Sequence, residues 1–396
     1  MSALRRISTR RLLSICALSL VVVIGATAVA LAATSGSGPK PPPKPLANAV
    51  QDALNAPEIP GISARIDFTN DLVDASSIQG ADPLLAGASG RLWASPEDGG
   101  KLRLELQSEE STGGGDSQLL VSGRQFQLYD GSSETLYEGT LPEEEKGSAE
   151  GHETVPGLGE IETEIGKAEN HAEISGATPS DVAGQPTYTV RVAPKHDGGL
   201  LGGVELAWGA NNGVPLRAAI YSSESSSPVL QLEATDVSFE SIPGSVFEVS
   251  PPAGAKVVNL NPEKEIGADH GKPKEIVGQQ AVSAAVDFQL DAPSTLAGLP
   301  QNEVRAIEVD GKSAALATYG EGLGGIAVIE SKTEPGQGDE SMPGGVSLPK
   351  VSINGVEGEE LDTALGTVLR FSRGGVDYIV VGSVPPAAAE AAARAL

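Results

Sequence analysis

Lys101-Leu102-Arg103-Leu104-Glu105-Leu106 alternates charged and apolar residues without a break. A period of two puts the leucines on one side of an extended chain and the charges on the other, the pattern of a strand with one buried and one wet face. The same alternation recurs on either side. Upstream, Ile62, Ala64, Ile66 and Phe68 interleave with Ser63, Arg65 and Asp67; downstream, Tyr188, Val190 and Val192 interleave with Thr189 and Arg191. Further strands are read at 90–95, 118–122, 125–130, 135–140, 204–210, 216–222 and 229–239, about ten in all. Turn residues such as Asp98-Gly99-Gly100, Asp130-Gly131 and Asn211-Asn212-Gly213 separate them. Two helices join this set. In the first, at 46–56, Leu46, Val50 and Leu54 recur every fourth residue, Ala49 and Ala53 fill the same face, and Pro57 and Pro60 stop it. The second lies near 160–171. Residues 46–260 thus read as one large antiparallel sheet with two helices.

Outward from this unit the chain changes character. Arg5, Arg6, Arg10 and Arg11 precede residues 12–33, which carry no charge. Positive charge before an apolar run stays in the cytoplasm and sends the downstream chain across the membrane. Residues 1–33 therefore read as a signal peptide or an N-terminal membrane anchor. Small residues at Ala28, Ala30 and Ala32 suit cleavage, and the length of the run suits an anchor. Either way the rest is extracytoplasmic. Residues 34–45 form a Pro-rich tether, expected to be stiff and solvated. Residues 261–276 are polar and aperiodic, an interdomain linker. A smaller α+β unit occupies 277–396, with strands at 303–309, 314–319, 325–330, 366–372 and 376–382, and a Gly- and Pro-rich loop at 331–347. Pro385-Pro386 followed by an Ala-rich stretch predicts a terminal helix over 387–396.

Composition excludes several classes of function. The 396 residues carry a net charge of −26, and the first 33 contain four arginines and no acid, so the remainder is more acidic still. Such a surface repels phosphate backbones and argues against nucleic acid as a partner. The one cysteine, Cys16, lies in the apolar run, so the main body has neither a disulfide nor a cysteine metal site. Its setting, with Ile15 before it and Arg11 close upstream, does not fit a lipidated cysteine. Gly320-Glu321-Gly322-Leu323-Gly324-Gly325 matches a dinucleotide-binding pattern, but β-branched Ile326-Ala327-Val328-Ile329 comes next where a helix is required, so it reads as a glycine-rich hairpin. Asp310-Gly311-Lys312-Ser313 resembles the end of a phosphate-binding loop, but the earlier glycine is replaced by Ala306. His152, His171, His196 and His270 are scattered, and Ala86-Gly87-Ala88-Ser89-Gly90-Arg91 lacks the last glycine of a nucleophile elbow. Acidic runs such as Glu143-Glu144-Glu145 read as solvated loop charge. No catalytic residue, metal site or cofactor is assigned, and the chain is not expected to be an enzyme.

A resemblance adds to this reading. Gly90-Arg91-Leu92-Trp93-Ala94, the Lys101–Leu106 strand, Asp181-Val182-Ala183-Gly184-Gln185-Pro186-Thr187-Tyr188-Thr189-Val190, Gly213-Val214-Pro215-Leu216-Arg217 and Phe247-Glu248-Val249-Ser250-Pro251-Pro252-Ala253-Gly254-Ala255 come in an order similar to the LolA-like lipoprotein-carrier family, in its actinobacterial form. The family includes RseB-type regulatory relatives. The resemblance implies an incomplete antiparallel β-barrel plugged by helices, with an apolar cavity between. It further implies a non-catalytic protein that takes lipid, acyl chains or lipoproteins, or, as the alternative, an envelope-stress sensor acting through a membrane anti-sigma partner. Arg65, Arg91 and Arg103 lie near the region of the carriers' functional arginine, and none is assigned that role. Phe68, Trp93, Leu104, Phe126, Trp208 and Tyr221 are the candidate cavity lining. Residues 277–396, with Val309-Asp310-Gly311-Lys312 and the ending Gly374-Gly375-Val376-Asp377-Tyr378-Ile379-Val380-Val381-Gly382, resemble a small domain that accompanies extracytoplasmic proteins and brings no established activity.

Overall fold

The computed structural model describes residues 38–396, less 74–86, 98–99, 109–115, 132, 142–155, 196–198, 251, 253, 261–275, 310–311 and 334–347. The expected signal or anchor at 1–33 and nearly all of the expected linker at 261–276 lie outside the described residues. No described helix is long and apolar enough to cross a membrane.

The larger unit begins with helix α1 (Leu46–Leu54) and strands β1 (Ile62–Asn70), β2 (Ala88–Ser95), β3 (Lys101–Ser108), β4 (Ser117–Ser122), β5 (Gln125–Asp130) and β6 (Thr135–Thr140). Helix α2 (Leu158–Ala168) leads into β7 (Ala172–Ile174), β8 (Thr178–Val182), β9 (Gln185–Pro194), β10 (Leu201–Gly209), β11 (Pro215–Ser222), β12 (Pro228–Ser238) and β13 (Lys256–Leu260). All thirteen strands form one sheet, in the order β13-β6-β5-β4-β3-β2-β1-β12-β11-β10-β9-β7, with β8 also on β9. The pairing is antiparallel except for β13, which runs parallel to β6. Three strands escape the sequence pattern. β7 is three residues long, β8 contains Pro179 and three polar residues, and β13 sits at an edge where Val257 is half exposed.

The sheet is curled. The tip of β8 returns to β12 although three strands lie between β12 and β8 in the sheet order, and Val182 joins a core with Ala64, Ile66, Leu104 and Ala234. Backed by helix α1, on which α2 packs, this curled sheet is the half-barrel that the family resemblance implied. Helix α1 packs its apolar stripe, Leu46, Ala49, Val50 and Ala53, against Tyr188, Val190, Leu206 and Trp208. Its far end meets the turn after β10. There Gly213 has φ +67°, and a Cβ would lie 2.5 Å from the Ala53 carbonyl oxygen, so only glycine lets this turn close on the helix.

The smaller unit has helix α3 (Gln279–Ala285) and strands β14 (Thr295–Leu296), β15 (Leu299–Val309), β16 (Lys312–Tyr319), β17 (Ile326–Lys332), β18 (Lys350–Ile353), β19 (Val356–Thr363), β20 (Gly366–Arg373) and β21 (Val376–Gly382), then helix α4 (Pro386–Ala395). Its sheet order is β14-β15-β16-β17-β21-β20-β19-β18. The glycine-rich 320–325 segment is the turn between β16 and β17, as its β-branched sequel required. Ala389, Ala392 and Ala393 of α4 are buried in one core with Leu369, Val380 and Ile353, where only small side chains let the helix come close. Backbone bonds join the two units: Leu200 N–H donates to the Ser383 carbonyl at 2.8 Å, and Ala364 N–H to the Leu72 carbonyl at 2.9 Å.

Candidate functional site

Strand pairing sorts the side chains of the half-barrel onto two faces, because cross-strand partners share a face. The decisive rows are Val237–Ala64–Leu92–Leu104–Leu119–Leu128 and Leu206–Ala218–Leu232–Phe68. Both are apolar and lie on the inner face with Val182 and α1. Four of the six expected lining residues stand there. Leu104 and Trp208 are buried, and Phe68 and Phe126 are half-buried. Toward β5 the cover thins: Leu92, Leu102 and Leu106 are only partly buried, and Leu128 is 39% exposed.

The other two do not join them. Trp93 pairs with Arg103 across β2 and β3, and Tyr221 with Gly203 across β10 and β11, both on the outer face. The reason is parity: each is an odd step from the inward residues Leu92 and Ala218 on its own strand. Each is instead covered by an arginine. The Arg103 guanidinium lies 5.2 Å from the Trp93 ring, pairs with Glu105 and donates to the Val246 carbonyl at 2.7 Å. Arg191 lies 4.5 Å from the Tyr221 ring and 3.4 Å from Glu205.

Two cross-strand pairs, Glu205 with Arg191 and Arg217 with Glu233, make a polar cluster on that outer face, which the sequence pattern read as merely wet. Glu205 is fully buried, and burial pushes its carboxyl above the usual range although Arg191 and Arg217 pull it down. Arg191→Ala, which removes one of the two arginines that favour this carboxylate's charged form, is expected to cost roughly 2–3 kcal/mol, less than for a fully dry pair because Arg191 keeps solvent contact and Arg217 remains. Glu205→Gln is expected to be close to neutral. Urea unfolding of the two variants checks both.

Between the units lies a cleft of about 410 Å³. Leu72, Leu200, Leu361 and Pro385 form apolar walls, and Asp71, Glu224, Glu360 and Asp362 bring carboxylates to it. No lysine, arginine or histidine lines it among the described residues. Burial raises Asp362, with Glu224 adding to the shift; burial also raises Glu360, with Glu390 and Asp362 adding and Arg394 opposing. None of these acids carries a sequence signal, because the cleft joins positions far apart in the chain. Among the described residues no group of His, Cys, Asp and Glu is arranged to hold a metal ion.

No family model matches the chain, and no curated protein matches it. Among solved structures it is similar to MucB in complex with MucA(peri), at 15% identity over 88% of this chain and 94% of that one, with a TM-score of 0.41. It is similar to the Pseudomonas aeruginosa MucA/MucB complex at 13% identity, over 88% and 96%, with a TM-score of 0.43. A LolA superfamily protein from Nitrosomonas europaea matches at 12% identity, over 52% of this chain and 98% of its own, with a TM-score of 0.21.

Proposed function

We propose that this chain is a non-catalytic, extracytoplasmic binding protein whose half-barrel takes the acyl chains of a lipid or lipoprotein. The carrying observation is the continuous apolar inner face, and above all its thinly covered end at Leu92, Leu106, Phe126 and Leu128. Each buried CH₂ contributes about 0.8 kcal/mol, so a chain of about 16 carbons gains roughly 12 kcal/mol before ordering costs. The acidic surface opposes an anionic headgroup only weakly, since salt screens beyond about 8 Å. Native mass spectrometry of the purified full chain is expected to show bound lipid, and a fluorescent fatty acid is expected to bind saturably. Leu106→Asp, which puts a charge on the inner face, is expected to weaken that uptake by tenfold or more, about 1.4 kcal/mol. Absence of both lipid and uptake would sink the proposal.

The cleft between the units favours a second reading, that of a regulator acting through a membrane protein. Apolar walls with four carboxylates, and no basic side chain in the lining among the described residues, suit a basic, partly apolar segment of such a partner. Because Glu360 and Asp362 bind a cation only when ionised, affinity for a basic peptide is expected to rise with pH through their raised range and then level off. Asp362→Asn should flatten that rise. Calorimetric titration across pH distinguishes this reading from the first, in which the peptide does not bind.

A further inference from the structure

The Pro-rich stretch before α1 does not stand free. Tyr188 Oη donates to the Pro42 carbonyl at 2.7 Å. Lys44 Nζ lies 5.2 Å from the centre of the same ring and bonds Asp52 of α1 at 2.5 Å. At the start of the stretch, a Cβ on Gly38 would run into the Asp181 carboxylate of β8. Pro45 has φ −58° and ψ 148°, the polyproline II conformation. Proline-rich segments in this form are pre-ordered, so docking them on an aromatic surface costs little conformational entropy.

We propose that residues 38–45 are a docked strap, held as an internal polyproline ligand in a groove built by Tyr188, Asp181 and α1. The groove's floor is rigid, since Tyr188 is buried against Trp208 at 6.4 Å between ring centres. Docking shortens the tether. Only residues 34–37 separate the apolar run from Gly38, a reach of roughly 18 Å, against roughly 45 Å if the chain were free as far as Leu46. On the reading that the apolar run stays in the membrane, the strap holds the α1 end of the half-barrel close to the bilayer, where an acyl chain would be handed over.

The test uses the full chain in detergent, in a Cys16→Ser background, with spin labels on the exposed positions Lys40→Cys and Asn211→Cys. A single narrow distance distribution is expected. Replacing Pro41, Pro42 and Pro43 with glycine, together with Tyr188→Phe, is expected to broaden it at least about twofold while circular dichroism stays unchanged. A broad distribution with the native strap overturns the proposal, as does a narrow one that survives the combined substitution. The membrane consequence is read separately, by fractionating cells. Recovery of the protein only in soluble form overturns the short leash, while a narrow distance in the same protein still supports the strap.

Discussion

Replacing Glu330 with glutamine is expected to stabilise the smaller unit at pH 8 by about 3 kcal/mol and to leave it nearly unchanged at pH 4. Glu330 sits in the middle of β17 with no exposed surface. Its Oε2 accepts the Asp291 N–H at 2.8 Å, and its Oε1 has no hydrogen-bond partner among the described residues. Around it stand Asp291, Tyr319 and Tyr378, and Arg373 is directed to Asp291 at 3.4 Å and to the Leu396 carbonyl. Burial therefore pushes the Glu330 carboxyl up to about 7, and the Tyr319 hydroxyl to about 12. An acid whose folded pKa lies above its unfolded value favours the folded state while protonated. That contribution is whole below about pH 4.5 and is lost as pH rises through 7, after which the curve is flat. Glutamine keeps the acceptor for Asp291 and removes the ionisation, so the slope should vanish. Both tryptophans, Trp93 and Trp208, belong to the larger unit. Guanidinium unfolding seen by circular dichroism but not by tryptophan fluorescence thus isolates the smaller unit. A wild-type transition that does not move between pH 5 and 8 would contradict the buried ionisation.

The second large effect is expected at Trp208. It is buried against Tyr188, with Ala49 and Ala177 in the same cluster, and it joins the inner face to α1. Trp208→Ala removes this contact and is expected to cost roughly 3–5 kcal/mol, because the small residues around it cannot fill the gap. Trp93→Ala is expected to cost no more than about 2 kcal/mol, since that ring is half-buried on the outer face beneath an arginine. Each variant leaves the other tryptophan as its fluorescent probe. Equal losses would mean that the two rings share one environment, against the parity of their strands.

How far the sequence reached depends on the range of the forces involved. Alternation at Ile62–Phe68, Leu102–Leu106 and Tyr188–Val192 identified strands because burial on one face is a local constraint, repeated every second residue. Periodicity likewise found α1, and proline before a run of alanines found α4, to within a few residues. The short β14, the edge strand β18 and the polar β19 carried no such repeat and were missed, as was α3. Trp93 and Tyr221 stand on the outer face for a different reason: their neighbours Leu92 and Ile220 alternate with them, and aromatic character alone does not carry the phase of a strand.

By itself the sequence determined the β-rich class and the strong negative charge, properties that add up residue by residue. Tertiary structure alone decided that Glu205 and Glu330 are buried acids, that carboxylates from both units meet in one cleft, and that the proline-rich stretch lies on Tyr188. These depend on which distant segments touch, and on how far water is excluded where they do.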